Sequence, residues 1–423
     1  MAQITDKAEA ALARAESLGD ELDRIFIQLD RDRILAEAAR LDANQQELAG
    51  LPLYGLIISL KDLFDEAGEV TTAGSSILRD RAPATQDATV VSRLKAAGAL
   101  LFGRTSLSEF AYSGIGANPH HGTPGCFYDR SLIPGGSSSG AALTVAHSLC
   151  DLAMGTDTGG SVRVPAAING LYGFKPSAQT VPTTGVHPLS VNYDSVGPLA
   201  PSFELLVQCM KVIRSEPLES VSQDQPMKFA VASDAFTDDL DPSVASAFKK
   251  QLDQLINAGH SIEELSFDAL NGWTSALRLT VSYEAQTYYK DYLQRLESEG
   301  DPNVLGRIHQ SDGMTAADLE ACQQQRREAI AFFEKQLRGY DALLAPTMKC
   351  EPPSIQAAQN DFLPNNSAVL RNTTYINLVD GCALTLPVQR DAMQPAALMV
   401  CGPNGMDSEI ISVGERIDQI ING

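Results

Sequence analysis

The residues whose types and spacing suit chemistry sit in two glycine- and serine-rich turns. The first is Ile133-Pro134-Gly135-Gly136-Ser137-Ser138-Ser139-Gly140. The second is Gly155-Thr156-Asp157-Thr158-Gly159-Gly160-Ser161-Val162-Arg163-Val164-Pro165. Paired glycines let backbone N–H groups approach a ligand closely, and consecutive N–H groups in such a turn form an anion-binding nest. Ser161, at the end of that nest, is placed to attack a carbonyl whose oxygen the nest holds. A serine hydroxyl is a weak nucleophile and needs a base. The chain has 6 histidines, none of them between His147 and Ser161. A Ser-His-Asp arrangement assembled by folding stays open on this evidence. A second base is Lys61, at the end of the apolar run Gly55-Leu56-Ile57-Ile58-Ser59-Leu60. A buried strand there would deliver the lysine to an interior site, where desolvation lowers its pKa toward neutrality. Neutral Lys61 could then take a proton from Ser137 while Ser137 takes one from Ser161, a Ser-Ser-Lys relay.

The elements that must position these groups follow from the apolar pattern. Ala141, Ala142, Val145 and Ala146 predict a small-residue helix after the first turn, and Leu149 to Met154 a strand before the second. Helices are expected over 6–18, ended by Gly19, and over 30–41, with a polar linker at 44–50. A helix over 87–98 leads into the strand 99–103, and this alternation points to an α/β layered sheet. Further on, 202–213 predicts an amphipathic helix and 215–227 a polar surface connector that opens a smaller lobe. Strands are expected at 228–233, 261–267, 341–346, 372–388 and 396–403. Helices are expected at 244–258, 273–297, 317–337 and 408–421. Trp273, Tyr283, Tyr288 and Tyr289 lie at near-helical spacing, which favours core or interface packing over a ligand stack. The loop 110–125 holds His120-His121, expected as a solvated pair because no carboxylate or cysteine sits at ligand spacing. His187 is expected as a structural loop residue rather than a donor to substrate.

Composition narrows the function classes. The net charge of −21 argues against a nucleic-acid surface and against an anionic membrane. No apolar window is long enough to span a bilayer. The first residues lack a basic region followed by an apolar core, so no secretory leader is expected. Seven scattered cysteines without a Cys-x-x-Cys pair fit reduced thiols in a cytoplasmic protein. No phosphate-binding Gly-x-x-x-x-Gly-Lys-(Ser/Thr) and no dinucleotide Gly-x-Gly-x-x-Gly follows a predicted strand.

The two turns and the upstream Lys61-Asp62, with Ser161 following Ser137 by 24 residues, resemble the amidase signature family. The match is close over roughly residues 50–200 and loose elsewhere. Leu143 is bulkier than usual for the family and Ile57 stands where many members have proline; neither falls on the proposed triad. The resemblance implies one domain over 1–423: N-terminal helices at 1–48, a signature core at 50–215 and a C-terminal lobe at 228–423. It implies a central mixed β-sheet flanked by helices on both sides. By position, Ser161 corresponds to the acylated nucleophile, Ser137 to the bridging serine after a cis peptide bond, and Lys61 to the general base. The N–H groups of Thr158, Gly159, Gly160 and Ser161 correspond to the oxyanion hole. Ser138, Asp157 and Arg163 correspond to loop supports. Tyr112, Ser113, Gly114 and Gly136 are expected substrate contacts, and segments 270–315 and 350–372 are where the family varies its specificity.

The expected activity is hydrolysis of a small amide or ureide through an acyl-Ser161 intermediate, with no metal and no cofactor. Expected partners are a small-molecule amide substrate, no nucleic acid and no membrane, and a homodimer or a small accessory subunit. The alternative the family offers is the glutamine-hydrolysing component of a tRNA-dependent amidotransferase, which the acidity of this chain fits poorly. A scaffold of the same fold that has lost catalysis is disfavoured, because every triad position is filled.

Overall fold

The computed structural model describes residues 3–219, 225–388 and 396–423. One eleven-stranded sheet runs through these residues. Its strands are β1 (Phe26–Gln28), β2 (Ile57–Lys61), β3 (Leu100–Thr105), β4 (Leu152–Asp157), β5 (Tyr172–Lys175), β6 (Ser195–Ala200), β7 (Lys228–Ala232), β8 (Ser261–Leu265), β9 (Ala342–Pro346), β10 (Cys382–Val388) and β11 (Ala396–Gly402). Their spatial order is β1-β3-β2-β4-β6-β5-β10-β11-β9-β7-β8. The sheet is mixed: β2 runs parallel to β3 and β4, the middle from β4 to β9 is antiparallel, and β7 lies parallel to β8 and β9.

Helices cover both faces, and the strand residues alternate between two apolar clusters to meet them. Phe229, Val231, Leu344, Leu384, Leu386, Leu398 and Val400 pack on one side with the helices Thr89–Ala96, Phe203–Ile213, Pro242–Asn257 and Asp407–Ile421. Ala230, Ala232, Leu343, Ala345, Ala383, Met399 and Cys401 pack on the other with Thr274–Tyr289, Ala316–Gln336 and Phe362–Leu378. The N-terminal helices Ile4–Glu16 and Arg31–Ala43 bury Ala8, Leu12, Ile34 and Ala38 against Ile57, Leu100 and Phe102. Side-chain caps start several helices as the sequence suggests. Asp30 accepts from Arg33 N, Ser202 accepts from Leu205 N, and Thr315 with Asp318 forms a capping box.

Three expectations are corrected. Residues 372–378 are not strand but the end of the helix Phe362–Leu378. Thr373, Thr374, Tyr375 and Ile376 carry strand propensity, yet the helix buries Asn372 and Asn377, whose side chains hydrogen-bond inside the core. Tertiary contacts override propensity here. Only after Asp380, at φ 55°, does the chain enter β10. The expected helix 273–297 breaks at the 3₁₀ turn Lys290–Tyr292 and resumes as Leu293–Glu299. The linker at 44–50 contains a short helix, Gln45–Leu48. The connector expected at 215–227 lies partly outside the described residues.

The sheet holds the lysine strand in its interior. β2 sits between β3 and β4, and all five of its residues are buried. The chain leaves this strand through Asp62, whose carboxylate accepts from Arg104 Nε at 2.6 Å and from Thr72 N at 3.1 Å. Both partners of this ion pair are buried. Removing one member strands the other charge without water, a loss of about 3–5 kcal/mol. Asp62→Ala is therefore expected to lower the unfolding free energy by that amount in urea denaturation; a loss below about 1 kcal/mol, the range of ordinary surface changes, would show that the pair does not hold this strand end.

Candidate active site

Lys61, 0% exposed, ends β2 with its ammonium among oxygens. Nζ lies 2.7 Å from Ser137 Oγ and 2.8 Å from Thr156 Oγ1. Ser137 stands just before the helix Ser139–Ala146, whose small residues let it pack on the strands. At Gly140 an added Cβ would meet Ile25 O at 2.3 Å, so only glycine permits this close approach. The Gly136–Ser137 peptide is cis. The first turn meets the second where Ser138 N donates to Ser161 O at 3.3 Å, and Ser138 Oγ donates to Thr156 O at 3.4 Å.

Asp157, at the end of β4, shapes the second turn. Its carboxylate accepts from Gly160 N at 2.8 Å, Val162 N at 3.1 Å, Arg163 Nε at 3.0 Å, Arg163 Nη2 at 2.9 Å and Asn377 Nδ2 at 2.9 Å. Burial alone would raise this carboxyl, but Arg163, Asn377 and Lys175 hold it well below the ordinary carboxylate range. Helix 362–378 grips the same turn from outside. Thr373 and Thr374 donate to Gly159 O at 2.7 and 3.3 Å. Gly160 has φ +136°, and a Cβ there would lie 2.1 Å from Thr373 Oγ1. The Gly160 N–H is thus already given to Asp157 and leaves the expected oxyanion set. The N–H groups of Thr158, Gly159 and Ser161 remain at the turn.

A carboxylate that the sequence reading did not single out stands behind this turn. Asp194 Oδ1 accepts from Thr158 Oγ1 at 2.5 Å, and its Oδ2 from Leu189 N at 2.9 Å and Ser190 N at 3.0 Å. Desolvation pushes Asp194 up to about 6 despite these bonds. Desolvation likewise pulls Lys61 down to about 7, against the attraction of Asp194 and Asp157. A lysine so lowered is half neutral near pH 7 and can act as a base.

A cavity of about 320 Å³ opens onto Ser161. Tyr112, Ser113, Thr158 and Gly159 line it. Gly114 and Gly136 do not: Gly114 N donates to Asn366 Oδ1 at 2.7 Å, and Gly136 N donates to Gly114 O at 2.8 Å. Both are packing positions, tight against Leu370 and Gly116 respectively. Ala111, Leu189, Arg307 and residues of 271–281 and 366–375 complete the lining, which falls largely inside the two segments where variable specificity was expected. His187 faces Tyr289 and Arg81 rather than the cavity, and burial pulls its imidazole down to about 4. Tyr289 stacks on Phe110 with ring centroids 4.0 Å apart, a core role as expected. His120 is not solvated: its Nε2 lies 2.7 Å from the buried Glu109 carboxylate. Thr156 and Asn377 were given no role by the sequence, and Asp194 none beyond its place in the segment 181–198, which resembles the family's segment around the site. Their contacts span between 36 and 220 residues, so no local spacing announces them.

The family model described as Amidase matches residues 6–411 of this chain. The chain is 30% identical over 411 residues to the 2-amino-5-chloromuconic acid deaminase of Comamonas testosteroni, covering 93% of this chain and 87% of that protein. It is 32% identical over 446 residues to one subunit of the glutamyl-tRNA(Gln) amidotransferase of Thermus thermophilus, covering 96% and 91%. A crystal structure of an amidase superposes with a TM-score of 0.91 at 29% identity, over 99% of this chain and 96% of that one.

The Lys61–Ser137 contact carries a pH signature. Lys61 has a lowered pKa near 7, so its neutral form is gained as pH rises through 7 and lost below it. Phosphonylation of Ser161 by an activated phosphonate probe is expected to slow about tenfold per pH unit well below 7, with Lys61→Met removing the dependence. A flat labelling rate from pH 5 to 9 in the parent protein would remove Lys61 as the base.

Proposed function

The chain belongs to the amidase signature family, and on that premise we propose that it hydrolyses the carbon–nitrogen bond of a small amide or ureide through an acyl-Ser161 intermediate. The observation that carries this reading is the buried Lys61 Nζ, 2.7 Å from Ser137 Oγ, behind a cavity that ends on Ser161 and its N–H turn. Members of this family are amide-hydrolysing enzymes.

In the proposed cycle neutral Lys61 takes the Ser137 proton as Ser137 takes the Ser161 proton. Ser161 Oγ then bonds to the amide carbon, and the carbonyl oxygen becomes an oxyanion. The N–H groups of Thr158, Gly159 and Ser161 stabilise it, each contributing on the order of 3 kcal/mol. The relay returns a proton to the leaving nitrogen, the C–N bond breaks, and ammonia or an amine departs. An amide nitrogen is a poor leaving group, so this protonation matters as much as the attack. Water then adds to the acyl carbon, giving its proton to the relay and freeing the acid. Asp194 holds the Thr158 side chain and so the strip of backbone that faces the oxyanion.

The same reading takes the chain as one domain, with a single sheet joining its halves in support. It takes the protein as cytoplasmic, a location that its seven free cysteines support. Among the described residues no helix is long and apolar enough to cross a membrane. A homodimer or an accessory subunit belongs to the proposal too, since the Thermus relative is named as part of a multi-subunit enzyme.

The test is ammonia release across a panel of amides, ureides and glutamine. Ser161→Ala is expected to lower turnover by about a thousandfold or more, and Lys61→Ala by nearly as much. Activity of Ser161→Ala within tenfold of the parent would overturn the nucleophile. Release confined to glutamine and dependent on a second protein would favour the amidotransferase reading.

A further inference from the structure

The cavity above Ser161 is cationic in an acidic protein. The chain has 53 acidic and 32 basic residues, yet the charged residues lining this cavity are Arg278, Arg307 and Arg371, with no carboxylate among the described lining residues. The three arginines are not alike. Arg371 donates to the carbonyls of Phe236 and Asp238 and to Asn372 Oδ1, and it feels the carboxylates of Asp238 and Asp239. Its charge is used in holding its helix. Arg307 is half-buried, donates one N–H to Tyr112 O at 2.8 Å, and lies 4.1 Å from the centroid of the Tyr112 ring. The charged group it feels is another cation, Arg278. Arg278 donates to Gln310 Oε1 at 3.0 Å, at the exposed rim. Neither guanidinium forms an ion pair among the described residues.

Two neighbouring guanidiniums without a counter-ion repel one another, and half-burial weakens the screening. Each guanidinium has five N–H donors, and one is bonded at each. A bound anion offsets the repulsion and accepts from part of the remaining donors. A carboxylate suits this site because its two oxygens match the planar guanidinium fork. The walls of the same cavity are apolar at Leu189, Leu277, Val281 and Leu370, which fits a short carbon chain.

We propose that the substrate is the monoamide of a small dicarboxylic acid, whose free carboxylate is held by Arg307 and Arg278 while its amide carbonyl sits at Ser161. This rests on the amidase reading above and names the substrate class for that site. The arginines act in binding, at the end of the substrate remote from the bond that breaks, so their loss is read in KM rather than in kcat.

The experiment compares ammonia release from malonamate and succinamate with release from their methyl esters, which keep the shape and lose the charge. The acids are expected to exceed the esters by at least about tenfold in kcat/KM. Arg307→Gln and Arg278→Gln are expected to raise KM for the acids at least about tenfold more than for the esters, with Arg307→Lys recovering part of the loss. Equal use of acids and esters, or an equal loss on both, overturns the proposal while leaving the amidase reading standing. Absence of ammonia from every amide counts against the amidase reading instead. Calorimetric titration of succinate into Ser161→Ala protein then decides the carboxylate site. Binding weakened about tenfold or more by Arg307→Gln sustains the site, and no binding of succinate removes it.

Discussion

The desolvation of Lys61 is the constraint on which the rest of this structure depends. An ammonium surrounded by a packed sheet loses its hydration, and that loss brings the lysine down to about 7. Everything around it limits the cost. Ser137 and Thr156 receive its N–H groups, while Asp194 and Asp157 supply negative potential without an ion pair to it. A carboxylate in direct contact would keep the lysine charged. The next residue, Asp62, is instead engaged by Arg104. A buried lysine is thus kept near neutrality by withholding a partner from one residue while giving one to its neighbour.

The second dependence is the shape of the turn at 157–161. Asp157 gathers backbone, guanidinium and amide N–H donors on its two carboxylate oxygens, and helix 362–378 closes over Gly159 from the other side. The turn is held by residues more than 200 positions away in the chain. A preorganised turn of this kind has its dipoles aimed before charge develops, which is where such sites draw most of their advantage. One N–H, that of Gly160, is used to build the turn rather than to face the cavity. The same helix supplies Leu370, Thr374 and Tyr375 to the cavity wall. The element that fixes the chemistry therefore also bounds what can enter.

Much of this was legible in the chain. The apolar run before Lys61 identified a buried strand. The glycine and serine turns, with Ser137 and Ser161 separated by 24 residues, carried the resemblance to the amidase signature family. These signals are local because tight turns and buried strands restrict residue type wherever they occur. The single mixed sheet with helices on both faces was foreseen from the family resemblance, and the helix-to-strand alternation at 87–103 pointed to an α/β layer.

The tertiary structure alone decided the rest. Residues 372–378 have the composition of a strand and fold as helix because Asn372 and Asn377 find buried acceptors there. His120 looked like half of a solvated pair until folding brought it to Glu109. Gly114 and Gly136 sit close to the site in sequence, but their backbones are spent on packing against each other. The arginines of the cavity, Arg278, Arg307 and Arg371, lie on three separate helices, so no window of sequence contains them together. The sequence by itself determined which groups are candidates for chemistry, because glycine- and serine-rich turns need particular residues at short range. Which groups surround the substrate was decided only by the fold, because a pocket wall needs residues close in space and places no condition on their distance along the chain.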